Sequence, residues 1–299
     1  MARGIAYAVI TALFFALLAI VLKYSMTFAS AGTVVFLRFV TAFVTLAAIF
    51  AVRRPHELKV LIRPPLAAVA AGVCLAANYF GYMKGLQYTT AANAQVLIQL
   101  APVMLAFTGI FYFREHLNTL QKAGMAVGFA GLLLFYEQQL TRVDLSASEY
   151  NTGNLWLVGG AVAWALWGAF QKSLGHRMNP QAVNLVVYGV ASLMTTVLFR
   201  PIEAVTFTPA VWALMVFLGL STLAAYATLA QALKLIPVNI VSMIIALNPI
   251  GTFLALDVLE RLGVGLVQPE NITTLGYAGA LIFITGVCLV VRYREANPE

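Results

Sequence analysis

Runs of about 20 apolar residues recur along this sequence from end to end, and that pattern restricts its fold more than any motif does. A helix needs roughly 20 such residues to cross a bilayer. Ten stretches qualify, at approximately 4–24, 32–52, 65–85, 90–113, 121–139, 154–174, 181–199, 209–230, 237–257 and 274–291. The expected fold is therefore all-α and membrane-integral, with ten transmembrane helices. Composition agrees, since 62% of residues are hydrophobic and 10% charged, where a soluble domain has about 25% charged. The run from Gly4 to Leu22 follows Arg3 and precedes Ala29-Ser30-Ala31, as in a secretory signal. It is longer than the roughly 7–15 residues of a signal core, so it reads as a retained first helix.

The net charge of +7 invites a nucleic-acid reading, but the basic residues sit in short loops between apolar runs and form no patch. Twelve Lys and Arg fall on the side holding the N-terminus and five on the other, with Arg38 inside a span. The positive-inside rule then puts both termini in the cytoplasm. His56, His116 and His176 all fall in loops on that side and are expected to be solvated. Cys74 and Cys288 lie within apolar runs, where small buried hydrophobes are expected and neither a disulfide nor a metal site is indicated.

The chain also repeats itself. Gly4 to Lys23 lies over Gly153 to Lys172 at an offset of 149, and Asn78-Tyr79 to Leu86 lies over Ala225-Tyr226 to Leu233 at 147. At the second offset Pro102 falls on Pro249, while Gly124 and Gly131 correspond to Gly279 and Gly286. The polar stretch Thr141–Asn154 is the natural linker, giving repeats at 1–140 and 154–299 joined by 141–153. Five spans per copy is an odd number, so the second copy enters the membrane from the opposite side. Transporters built from inverted repeats hold substrate near the midplane where helices are interrupted, and Pro102 and Pro249 mark interruptions in corresponding positions.

These residues resemble the drug/metabolite transporter superfamily in its EamA-domain branch. The resemblance rests on Pro102 in the fourth span, Glu115 thirteen residues later, then Leu117, Gln121, Gly124 and Gly131, and on Arg38 in the second span. Within that superfamily the chain most resembles the YddG-type exporters of aromatic amino acids and related metabolites. The second copy departs from the pattern, because Glu260 follows Pro249 by eleven residues and Arg38 has no counterpart near Val187.

Intramembrane polar residues are the candidates for function. Gln95, Gln99 and Pro102 share one helix face at i, i+4, i+7, and that face must look at protein or water. Around them we expect a pocket of Asn78, Tyr79, Tyr82, Trp164, Trp167, Tyr188 and Tyr226, with bending at Pro102, Pro249 and Asn248. Aromatic walls with a few amides suit a partly apolar ligand. Arg38 either snorkels and pairs with a carbonyl, or binds a substrate carboxylate bidentately. Asp257, Glu137 and Glu115 sit at span ends and are expected to anchor or cap helices, so no midplane carboxylate relay is expected.

The expected activity is secondary export of neutral, chiefly aromatic, amino acids and related small metabolites across a bacterial inner membrane. A monomer moving by alternating access is expected, without cofactor or metal and without enzymatic activity. A proton-coupled exporter of cationic drugs is the alternative, disfavoured because the first span has no Asp or Glu. No G-x-x-x-x-G-K-[ST] phosphate loop is present, which excludes ATP hydrolysis by this chain.

Overall fold

The computed structural model of the chain describes residues 1–88, 94, 97–140, 147–262 and 273–292. Among these the chain is helical and contains no strand. Three helices come first: α1 (Ala2–Ser25), α2 (Ala31–Arg53) and α3 (Leu66–Tyr88), with a 3₁₀ turn at Pro55–Leu61 between the latter two. Then follow α4 (Leu100–Phe111), α5 (Thr119–Leu140), α6 (Ala147–Gly175) and α7 (Pro180–Thr195). The remainder is the short α8 (Pro201–Val205), then α9 (Pro209–Leu235), α10 (Val238–Ile245), α11 (Asn248–Arg261) and α12 (Thr274–Arg292).

Among the described residues, seven helices are long and apolar enough to span a bilayer, and three shorter apolar ones lie at Leu100–Phe111, Thr119–Leu134 and Val238–Thr252. The outer surface is apolar, with Leu13, Leu17, Leu133, Leu155, Leu193 and Leu281 each more than half exposed. Such a surface suits hydrocarbon and not water. The interior has small and aromatic side chains, among them Ala8, Ala42, Ala71, Ala161, Phe39 and Trp167.

Local sequence accounts for the helix ends. Asn179 accepts from the Gln181 N–H at 3.0 Å and Pro180 occupies the first turn, so α7 starts there. Thr208 and Pro209 do the same for α9. Asn118 and Gln121 bond each other's backbone N–H reciprocally at the start of α5, the logic of a capping box. Both expected interruptions occur, each just ahead of its proline. The helix breaks at Gln99 before α4 and at Ala246-Leu247 between α10 and α11. Pro102 and Pro249 lie in the first turns after the breaks, where a missing N–H leaves no bond unmade.

Packing pairs exchange when the first five segments are swapped for the last five. Helix α3 packs on α6 and α7, while α9 packs on α1 and α2; α4 packs on α6, while α11 packs on α1. The pairs α5–α12 and α2–α7 map onto themselves. The correspondence reaches residue positions, with donor and acceptor exchanged. Asn78 Nδ2 donates to the Gly160 carbonyl at 2.9 Å, and at the offset positions Thr11 Oγ1 reaches the Ala225 carbonyl at 3.4 Å.

Two expectations need correction. The helix α6 begins at Ala147, so the end of the 141–153 linker is helical and only 141–146 lies outside the described residues. Cys288 is exposed on the outer face of α12 and Cys74 is half-buried, so neither is the buried hydrophobe expected. Both are apolar enough for a helix face in contact with lipid, which the polarity of the sequence alone does not separate from a packed interior.

Candidate functional site

A cavity of about 150 Å³ lies between the halves, walled by α1, α2, α3, the break before α4, α6, α9 and the break between α10 and α11. Its polar lining is Arg38, Asn78, Tyr79, Tyr82, Gln99, Trp164, Tyr226 and Asn248, and Pro102 also faces it. Phe15, Leu18, Leu22, Met83, Ile98, Ala101 and Ile245 complete the wall. Nine residues chosen from the sequence thus come together around one space.

Arg38 is 4% exposed and does not snorkel out of the bundle. Its Nε donates to Thr222 Oγ1 at 2.9 Å and its Nη2 to Tyr79 Oη at 3.1 Å. The guanidinium carbon is 4.8 Å from the Tyr79 ring centroid. Thr222 in turn donates to the Leu218 carbonyl at 2.8 Å, which leaves its oxygen free to accept from Arg38. Two of the five guanidinium N–H groups are thereby used. No acidic residue lines this cavity among the described residues, so the buried charge has no counter-ion there. A buried charge without one is costly to hold, and the shortfall is reduced by the two neutral acceptors and the ring face.

The aromatic wall is continuous. Tyr226 lies 5.6 Å from Phe15, 6.4 Å from Tyr79 and 4.9 Å from Trp167, centroid to centroid, and Trp164 is 5.7 Å from Trp167. Trp167 and Tyr188 are fully buried and stand behind the cavity lining. Their Nε1 and hydroxyl find no hydrogen-bond partner in the structure. Periodicity put Trp167 on the face of Trp164, but a face is wider than a cavity, and Tyr226 fills the space in front of it. Asn78 spends its amide N–H on Gly160 across α3 and α6, so it braces the wall as well as lining it. Asn248 keeps a buried carbonyl oxygen without a partner. Gln95 and the side chains of Glu137 and Asp257 lie outside the described residues.

On the face that carries Met1, polar contacts tie the two halves together. There Arg114 adopts a left-handed backbone, φ 51°, which turns the chain sharply after α4. Glu115 caps a helix end, as expected, but the end it caps belongs to the other half. One carboxylate oxygen accepts the Val238 N–H at 2.7 Å and the other the Asn239 N–H at 3.2 Å, at the start of α10. Lys172 Nζ is 3.6 Å from Glu115 and donates to the Ile236 carbonyl at 2.9 Å. Sequence reading counted Lys172 as a loop cation, yet it is 7% exposed. The one signal was that Lys172 repeats Lys23 at the 149 offset. Thr222, the partner of Arg38, carried no signal at all.

On the opposite face Glu203 accepts from the Ser30 backbone N–H and hydroxyl, both at 2.9 Å, tying α8 to the start of α2. Burial pushes this carboxyl up, but hydrogen bonds from Thr33 and Ser30 and the charge of Arg200 outweigh it and hold it below the ordinary value. His176, between α6 and α7, is held below the usual histidine value by burial and by Lys172 and Lys234. All three histidines are exposed, as expected.

Comparison with known proteins agrees with this architecture. The profile of the EamA-like transporter family matches residues 2–137 and again 151–292. The chain is 30% identical over 288 residues to the uncharacterized inner membrane transporter YhbE of Escherichia coli (strain K12), covering 95% of this chain and 89% of that one. It is 29% identical over 293 residues to an uncharacterized transporter of Haemophilus influenzae, covering 96% and 94%. A solved crystal structure shares the fold with a TM-score of 0.76 at 18% identity, over 98% of this chain and 97% of that one.

Proposed function

The chain belongs to the EamA-like transporter family, and on that premise we propose that it exports amino acids, chiefly aromatic and other neutral ones, across a bacterial inner membrane. Related small metabolites would share the route. One observation carries the proposal: a cavity with aromatic walls whose only ionised group, among the described residues, is a guanidinium with N–H groups to spare. Such a site takes a carboxylate in bidentate geometry beside an apolar side chain. The acceptor oxygen of Asn248 faces the same space and suits an ammonium group. A cation without a carboxylate would be repelled by the guanidinium and leave it unpaired, which weighs against the proton-coupled drug exporter.

The movement we propose is a rocking of two inverted five-helix halves, the three shorter apolar helices completing ten spans. The exchange of packing pairs between halves supports this reading, as do the helix breaks beside Pro102 and Pro249. Both termini are placed in the cytoplasm on the charge count, and a single chain forms the whole site.

Purified protein in liposomes tests the proposal, against amino acids, quaternary ammonium dyes and sugar nucleotides, with and without a pH gradient. Amino-acid flux independent of the gradient is expected. Replacing Arg38 by Met should weaken carboxylate-bearing solutes by roughly tenfold to a hundredfold, the worth of a charged hydrogen bond. Dye uptake strictly tied to protons would overturn the reading.

A further inference from the structure

The face that carries Met1 has its own cavity, of about 480 Å³, outside the one between the halves. Lys172, Lys234, His116 and His176 line it, against one acidic side chain, Glu115. Asn239 lines it too; it is 1% exposed and its side-chain oxygen has no partner. Glu115 itself is satisfied, by two backbone N–H groups at the start of α10 and by Lys172. Two N–H donors, a buried ammonium and the positive end of a helix form a cradle for one carboxylate. The protein currently fills that cradle with a side chain from its other half.

We propose that this basin is the solute's entry site, and that its cradle binds the solute carboxylate once Glu115 leaves. Glu115 then acts as a tethered stand-in for the ligand. While it is seated, the end of α4, the end of α6 and the start of α10 are pinned together and this face stays shut. An arriving carboxylate replaces like with like, so the donors are never left bare and the face opens without exposing unpaired buried groups. The ammonium group of an amino acid finds the Asn239 oxygen beside the cradle. Lys234 and the two histidines add positive potential that gathers anions at the mouth. This inference rests on the amino-acid reading only for the ammonium contact; the cradle requires a carboxylate and nothing more.

The test uses a reporter cysteine at Ile240, a fully buried residue on the basin wall, in full-length protein with Cys74 and Cys288 replaced by Ala. Labelling by a membrane-impermeant maleimide is followed in vesicles that expose this face. The parent should label slowly. Glu115→Gln should label about tenfold faster, because a neutral amide forfeits the charge-assisted bonds. Sodium benzoate should accelerate labelling of the parent, phenethylamine should not, and Lys172→Met should abolish the response to benzoate. Glu115→Asp, which keeps the charge, should restore slow labelling at least in part and so separates the latch from a folding defect. Equal labelling of the parent and Glu115→Gln, or equal responses to benzoate and phenethylamine, would overturn the proposal. A benzoate response without phenylalanine flux would instead sink the amino-acid function and leave the cradle standing.

Discussion

Alanine at Gly286 offers a demanding check on the packing, independent of any substrate. Gly286 lies where α12 crosses α5, and its added Cβ would sit 2.5 Å from Gly128 Cα and 2.6 Å from the Gly124 carbonyl oxygen, in contact with the Gly128 nitrogen as well. All three neighbours are backbone, so no side chain can swing away and the helices must separate. Opening the tightest crossing between the last segments of the two halves is an overpacking defect, worth about 1–3 kcal/mol. With main-chain atoms on the receiving side we expect the upper half of that range. At about 2–4 °C per kcal/mol for a chain of this size, the melting temperature in detergent should fall by roughly 5–10 °C. Neither α5 nor α12 contributes a residue to the central cavity, so solute affinity at low temperature should be unchanged. The control is Gly159→Ala, whose new methyl meets nothing within 4 Å. It should leave the melting temperature level or slightly higher, by helix propensity. Parent-like melting of Gly286→Ala, or an equal drop for both variants, would refute the reasoning.

Other outcomes follow from single contacts. Glu203 is held below the ordinary carboxylate value of 4.5, so its contribution to stability is present above that value and is lost as pH falls through the folded one; acid melting curves of Glu203→Gln should flatten relative to the parent below about pH 4.5. Asn78→Ala removes the bond to Gly160 that joins α3 and α6, and thermal denaturation should register a loss of about 1 kcal/mol, with parent-like stability excluding that brace. Pro249→Ala restores an N–H in the first turn of α11 and should slow transport while leaving equilibrium binding of the solute within about twofold; unchanged flux would remove this proline from the moving parts.

Much of the architecture was legible because it depends on local chemistry. Each apolar run had to be helical in hydrocarbon, and the doubled pattern of glycines, aromatics and prolines located the breaks at Gln99 and Ala246-Leu247 to within three residues. The cavity was partly legible for the same reason. Tyr79 and Tyr226 stand at corresponding places in the two repeats, and Arg38 was the one ionisable residue deep in a span. Distinguishing wall from backing was not legible, since Trp164 and Trp167 share a helix face and only the position of Tyr226 decides which ring meets the cavity.

The sequence by itself determined that this chain lives in a membrane, roughly where its helices lie, and that its halves are copies. Those properties follow from hydropathy and self-similarity, which act over a single run of residues or repeat at a fixed offset. Only the tertiary structure decided that Thr222 steadies Arg38 and that Glu115 reaches from the end of α4 to the start of α10, with Lys172 beside it. The residues of those contacts stand 184, 123 and 124 positions apart, and no local preference of either partner records which distant surface will be packed against it.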